Sequence, residues 1–229
     1  MMRIAFISDI HANSPALCSV LADIENREID SILCAGDVVG YNAFPNQVIA
    51  LFSEYDITSV RGNHDEAVLT ETPSNFNISA KRAVDWTRRK LSPESEAYLK
   101  SLGCEYREVI DNIDIYMTHG SPDDKLNQYV REDMISEDKI ESWFNHTPDI
   151  IVLGHTHQQF IVETDIAAVV NPGSVGQPRD HDPRAGYAIL DTNSWEIDTQ
   201  RVEYDIDKTA ERTQAVLPRK LGDRLYEGR

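Results

Sequence analysis

The sequence predicts an α/β (α+β) fold, a two-layer sheet sandwich flanked by helices, on three observations. Short apolar runs near the N-terminus end in Gly/Asp/Asn turns and lead into amphipathic stretches, the strand–loop–helix repeat of parallel pairing with right-handed crossovers. The middle of the chain is helical in pattern, with a Ser-Pro start signal. The second half is a series of short β-rich runs.

In chain order, Ile4–Ser8 reads as a buried strand and Pro15–Glu28 as a helix with proline in its first turn. Ile32–Ala35 is a second strand, Asn46–Tyr55 a second helix and Ile57–Arg61 a third strand. Thr70–Asn77 is polar and reads as a loop, followed by helices over Ser79–Leu91 and Pro93–Leu102, with Ser92-Pro93 as the break. Glu105–Ile110 and Asp114–Thr118 can pair as a hairpin across Asp111-Asn112. Ser136–Asn145 predicts a helix. Ile150–Leu153, Phe160–Glu163, Ala167–Val170, Gly186–Asp191 and Glu196–Tyr204 predict strands, and Asp207–Val216 a last helix stopped by Pro218. No linker or repeat interrupts the 229 residues, which are read as one domain, 1–229.

Composition excludes several classes of partner. Thirty-nine acidic against 22 basic residues give a net charge of −17. Such a surface repels long nucleic acid and anionic membrane, while a small phosphate ester remains compatible with a locally positive site. No apolar run approaches the ~20 residues that span a bilayer. The apolar start at Met1–Ile7 meets Ser8-Asp9 without a cleavage signal, so it reads as a first strand of a cytoplasmic protein. Cys18, Cys34 and Cys104 lack metal-type spacing and read as free thiols, with Cys18 and Cys34 expected in the core.

Five blocks stand at the ends of apolar strands, where α/β folds place ligands: Asp9-Ile10-His11, Gly36-Asp37, Gly62-Asn63-His64-Asp65, Thr118-His119-Gly120 and Gly154-His155-Thr156-His157. Five of the seven histidines fall in them; only His146 and His181 lie outside. Carboxylate oxygen and imidazole nitrogen suit Mn²⁺, Fe, Zn²⁺, Ni²⁺ or Co²⁺. Asp9 and His11 are two apart, as are His155 and His157, so extended backbone would aim each pair at one cavity. Asp37 has two oxygens with which to bridge two ions, and Asn63 offers an amide oxygen.

In this order the blocks resemble the signature of the calcineurin-like metallophosphoesterase superfamily. The stretches His11–Leu17, Asn171–Arg179 and Leu217–Arg229 resemble its small bacterial and archaeal phosphodiesterase-like branch. The resemblance implies a four-layer α/β/β/α sandwich of two mixed β-sheets flanked by helices. It implies two divalent metal ions, Mn²⁺ first among the candidates, with Asp9, His11 and His157 on one, Asn63, His119 and His155 on the other, and Asp37 between. Two ions roughly 3.5–4 Å apart would clamp both sides of a phosphoryl transfer and activate a hydroxide. His64 would protonate the leaving oxygen, with Asp65 orienting its ring and favouring its charged form. Ala12 and His181 stand where relatives often carry glycine. Arg61 and Arg179 are candidates to grip phosphate oxygens. The competing reading is a surface salt bridge, the stronger of the two for Arg179. The expected activity is phosphodiester hydrolysis. The alternatives are a phosphomonoesterase, a nucleotide or phosphoprotein phosphatase, or a non-catalytic scaffold of the same fold. Scaffolds tend to lose a ligand or the acid histidine, and none is missing here. Oligomeric state is left open.

Overall fold

Apolar runs that close on the signature blocks become two sets of parallel strands. The computed structural model describes residues 2–74 and 76–229; Met1 and Asn75, the latter inside the loop expected over Thr70–Asn77, lie outside the described residues. β1 (Arg3–Ile7), α1 (Ser14–Glu25), β2 (Ser31–Cys34), α2 (Pro45–Glu54) and β3 (Thr58–Ser59) realise the expected repeat, and the three strands are parallel. α3 (Asn63–Leu69), α4 (Ile78–Lys90) and α5 (Pro93–Ser101) follow. β4 (Glu105–Ile110) and β5 (Ile113–Thr118) form the expected hairpin. Asp111 and Asn112 take φ of 50° and 67°, the two positive values that a tight hairpin turn requires. α6 (Glu137–Trp143), β6 (Ile150–Val152), β7 (Gln159–Glu163), β8 (Ala168–Pro172), β9 (Ala185–Asp191), β10 (Glu196–Val202), α7 (Ile206–Gln214) and α8 (Lys220–Asp223) complete the chain.

The sheets are mixed, as expected, with orders β10-β9-β1-β2-β3 and β4-β5-β6-β8-β7. β5, β6 and β8 are mutually parallel, and the edge strands β4 and β7 run against them. Alternation along β1 sends Ile4 and Phe6 to the layer between the sheets, with Leu33, Ile115, Met117, Ile150 and Val152. Ala5 and Ile7 face the opposite way, against α1 and α2 through Leu17, Leu21 and Phe52. On the far side Ile151 and Val169 meet Ile140 of α6. Because β1 and β6 are covered on both faces, they read as unbroken apolar runs.

Two expectations are corrected. Asn63–Leu69 is helical, where no helix was anticipated; Asp65 and Glu66 in its first turn are the acidic start signal that marks it. Cys34 is buried, but Cys18 lies exposed on the outer side of α1. Among the described residues, no helix is long and apolar enough to cross a membrane.

Candidate metal centre

The five blocks follow β1, β2, β3, β5 and β6 at their C-terminal ends, in loops except for Asn63–Asp65, which open α3, and backbone hydrogen bonds tie the loops together. Asp9 N–H donates to Gly36 O and His11 N–H to Asp37 O, both at 2.9 Å; Gly154 N–H donates to His119 O at 3.0 Å. A loop after β8 closes the set, with Gly176 N–H donating to Asp9 O at 3.0 Å.

Alternation along an extended chain is not what aims the ligand pairs. Asp9, His11, Asp37, His155 and His157 have φ of 53°, 47°, 53°, 68° and 61°. Left-handed backbone costs an L-residue roughly 1–2 kcal/mol, so five strained residues cluster where the candidate ligands sit, as they do at functional sites. Gly62 allows the crowding: a Cβ there would stand 2.7 Å from Cγ of Asp37.

Side-chain geometry fixes the protons. His11 Nδ1 faces Val39 O at 3.2 Å, His119 Nδ1 faces Ala35 O at 2.8 Å, His155 Nε2 faces Asn127 O at 3.1 Å and His157 Nδ1 faces Gln177 O at 2.5 Å. A carbonyl accepts, so each of these nitrogens carries the hydrogen, and in the neutral ring the inward nitrogen presents a lone pair. The inward nitrogens then oppose one another: His11 Nε2 and His157 Nε2 are 3.2 Å apart, and His119 Nε2 and His155 Nδ1 3.1 Å. Asn63 Oδ1 lies 3.1 Å from His119 Nε2, and Asp9 Oδ1 lies 3.2 Å from His157 Nε2. Asp37 Oδ2 stands 3.5 Å from both His11 Nε2 and His119 Nε2, between the two groups. Asp9 Oδ1 is buried without a hydrogen-bond partner. Converging acceptors with no donor among them are what a cation satisfies, so the residues present fit a metal pair. His64 also comes within 4.8 Å of His11 and Asp37.

Burial sets the electrostatics. It raises Asp9 to about 7, with His119 opposing and Asp37 reinforcing the shift, and pushes Asp37 well above the carboxylate range, with Asp65 adding to it. Burial lowers His11 and His157 far below 6.5 and His155 to about 2. Without cations the site therefore sheds charge of both signs.

Beside the donors a cavity of about 170 Å³ is lined by Tyr41, His64, Phe76, Asn77, Asn127, Tyr129 and Arg179, among others. The expected partnership of Asp65 with His64 is absent. Asp65 accepts from the amides of Val38, Val39 and Gly62, at 3.2, 2.9 and 2.9 Å, capping α3 and pinning the β2 loop. His64 Nδ1 is buried without a partner. Burial, then Arg179, His119 and Arg224, push the ring well below 6.5, not towards its charged form. Arg61 points elsewhere, donating to Glu66 Oε2 at 2.8 Å and to the carbonyls of Leu99 and Lys100. Arg179, for which a salt bridge was the stronger reading, faces the cavity. Sequence reasoning did not single out Tyr41, which packs on His11 and His64, nor Tyr129, stacked on His155 at 3.9 Å. Tyr41 directly follows Gly36–Gly40, so its nearness to a signature block was the available signal.

Comparison with known proteins agrees with this geometry. Residues 2–194 match the model of the calcineurin-like phosphoesterase superfamily domain. An uncharacterised protein of Methanocaldococcus jannaschii is 38% identical, covering 99% of this chain and 98% of its own. The phosphodiesterase YfcE of Escherichia coli is 26% identical over 84% of this chain and 89% of its own. The crystal structure of a metallophosphoesterase from Sphaerobacter thermophilus superposes with a TM-score of 0.83 at 33% identity, covering 100% of this chain and 99% of that one.

Proposed function

Since this chain belongs to the calcineurin-like phosphoesterase superfamily, we propose that it hydrolyses phosphodiesters in small molecules, using two divalent metal ions. The observation that carries this reading is the set of four histidines whose outer nitrogens are pinned by carbonyls and whose inner lone pairs converge on Asp9, Asp37 and Asn63. Asp9, His11 and His157 would hold one ion and Asn63, His119 and His155 the other, with Asp37 reaching both. Ions bound there supply charge neutralisation for the phosphoryl oxygens and acidify a water for attack, and Mn²⁺ suits this mixed N/O set.

The remaining roles belong to side chains. The carbonyls of Val39, Ala35, Asn127 and Gln177 hold each ring in the ligating tautomer. Arg179 faces the cavity, which makes its guanidinium available to phosphate oxygens of the substrate. His64 is the candidate donor to the leaving oxygen. Its ring is neutral at rest, and an arriving anionic phosphate favours its protonation. Asp65 acts at one remove, by fixing the loops that carry Asp37 and His64. Net charge of −17 favours small esters over polymers. The test is a matrix of metal-free protein resupplied with Mn²⁺, Co²⁺, Ni²⁺ or Zn²⁺ against bis-p-nitrophenyl phosphate and p-nitrophenyl phosphate. The reading predicts hydrolysis only with metal and a higher kcat/KM on the diester. A higher value on the monoester would overturn the substrate class, and no hydrolysis under any condition would overturn the activity.

A further inference from the structure

Two guanidinium groups share one aromatic ring beside the cavity. Cζ of Arg179 lies 5.8 Å from the Tyr41 ring centroid and Cζ of Arg224 lies 5.2 Å from it. Tyr41 packs in turn on His64 at 4.5 Å, so the pair stands one ring away from the candidate centre. Arg224 comes from the 3-10 turn Arg224–Glu227, seated by the buried Leu225 and by His181 N–H donating to Gly228 O at 2.9 Å. This turn lies in the C-terminal stretch whose resemblance to the phosphodiesterase-like branch the centre leaves unexplained.

Among the described residues, neither arginine is ion-paired to an Asp or Glu side chain, although the chain has 39 acidic residues against 22 basic. Arg179 Nη2 makes long contacts, 3.5 Å to Tyr41 Oη and 3.4 Å to Gln177 Oε1, and its Nε is buried without a partner. Arg224 Nε donates to the main-chain oxygen of Arg229 at 2.5 Å. Burial and the charge of Arg179 push Arg224 down to about 10, which still leaves it charged at neutral pH. Two neighbouring half-buried cations with no Asp or Glu side chain paired to them leave positive charge that an anion joining them would neutralise.

We propose that Arg179 and Arg224 form a subsite for a second phosphate group. The favoured substrate is then a phosphate ester that carries another phosphate on the arm passing Tyr41. This deepens, and rests on, the phosphoesterase reading above. Two guanidinium forks match the oxygens of a phosphate monoester bidentately, and their two charges match its roughly −1.5 to −2 at neutral pH. The acidic remainder of the surface admits a small bisphosphorylated molecule and repels a polymer.

A matched pair of diesters tests this: ethyl p-nitrophenyl phosphate and 2-phosphonoethyl p-nitrophenyl phosphate, each assayed on Mn²⁺-loaded protein. The wild type should show a KM lower by about 10–100-fold for the phosphonate arm, the range of charged hydrogen bonds. Arg224→Gln should bring that ratio near one, Arg224→Lys should keep part of it, and Arg219→Gln, a change at an exposed neighbour, should keep all of it. A wild-type ratio near one, or a ratio surviving Arg224→Gln, would overturn the subsite. If neither ester is hydrolysed, the activity reading fails instead, and calorimetry of the phosphonate ester on metal-free protein decides the subsite. Tighter binding by wild type than by Arg224→Gln supports it, and equal binding refutes it.

Discussion

Gly62→Ala should cost about 2–4 kcal/mol of stability and weaken metal binding with it. The backbone φ of −96° suits any residue, so the change brings no dihedral strain of its own. The new Cβ would stand 2.7 Å from Cγ of Asp37 and nearer still to its Oδ1 and amide nitrogen. Non-bonded carbons rest about 3.5–4.0 Å apart, so something must open by roughly 1 Å. Residue 62 cannot retreat freely, because its N–H donates to Asp65 Oδ2 at 2.9 Å and its carbonyl accepts from Glu66 N–H at 3.0 Å. Overpacking costs about 1–3 kcal/mol, and a broken hydrogen bond adds about 1 kcal/mol. Gly103→Ala is the control: its nearest neighbour would be Glu105 O at 3.4 Å, so the change should stay within about 0.5 kcal/mol. Urea unfolding of metal-free protein gives the first quantity and Mn²⁺ titration the second. If Gly62→Ala matches Gly103→Ala in both, the backbone does not fix the position of Asp37 and the steric reasoning is wrong.

His181→Gly should stabilise by about 0.5–1 kcal/mol. It removes the ~1–2 kcal/mol of left-handed strain at φ 67° on an exposed residue, against the entropy that glycine loses on folding. Ala12→Gly, at φ 54° but fully buried, should be near neutral, because the lost methyl is worth about 0.8 kcal/mol; thermal or urea unfolding compares the two. Arg61→Ala should lower the urea midpoint through its lost bonds to Glu66, Leu99 and Lys100, without raising KM; a KM increase alone would restore the phosphate-gripping role. Metal-free protein should show a stability maximum near pH 6.5. Histidines 11, 64, 155 and 157 are held below 6.5, so the unfolded chain binds more protons and stability climbs with pH up to that value. Asp9, raised from 3.8 to about 7, and Asp37 and Asp65, also raised by burial, bind protons in the native state and lower stability as pH rises from 3.8, and Asp37, raised well above the carboxylate range, carries that fall past 6.5 once the histidines have finished. Urea midpoints across pH 4–8 should bend accordingly, and saturating Mn²⁺ should erase the fall above 6.5; a flat profile would contradict the assignment.

The strands were legible because β1 and β6 are buried on both faces and so read as continuous apolar runs, and the helices because Pro15, Ser92 and Pro93 mark starts among them. The donor residues were legible by type and place, but their backbone was not. Asp and His at positive φ look like ordinary strand residues, and only the adjoining Gly36 and Gly62 hint at the crowding. The supposed His64–Asp65 partnership failed for a geometric reason: both sit in α3, where consecutive residues do not face one another. Arg61 and Arg179 could not be told apart by distance from a motif in the sequence. Arg61 turns towards α5 carbonyls, while the loop after β8 carries Arg179 to the cavity. Arg224, 45 residues further on, reaches Tyr41 only through the docking of the C-terminal turn.

Metal stoichiometry bears most directly on the central claim. Metal-free protein should be titrated calorimetrically with Mn²⁺, the bound ion counted by elemental analysis, and the titration repeated on Asp37→Asn, whose carboxylate lies 3.5 Å from a histidine of each donor group. The account predicts two ions per chain in the wild type and weaker binding at one site or both in the variant. Fewer than two ions at saturation, or two bound unchanged by Asp37→Asn, would contradict it.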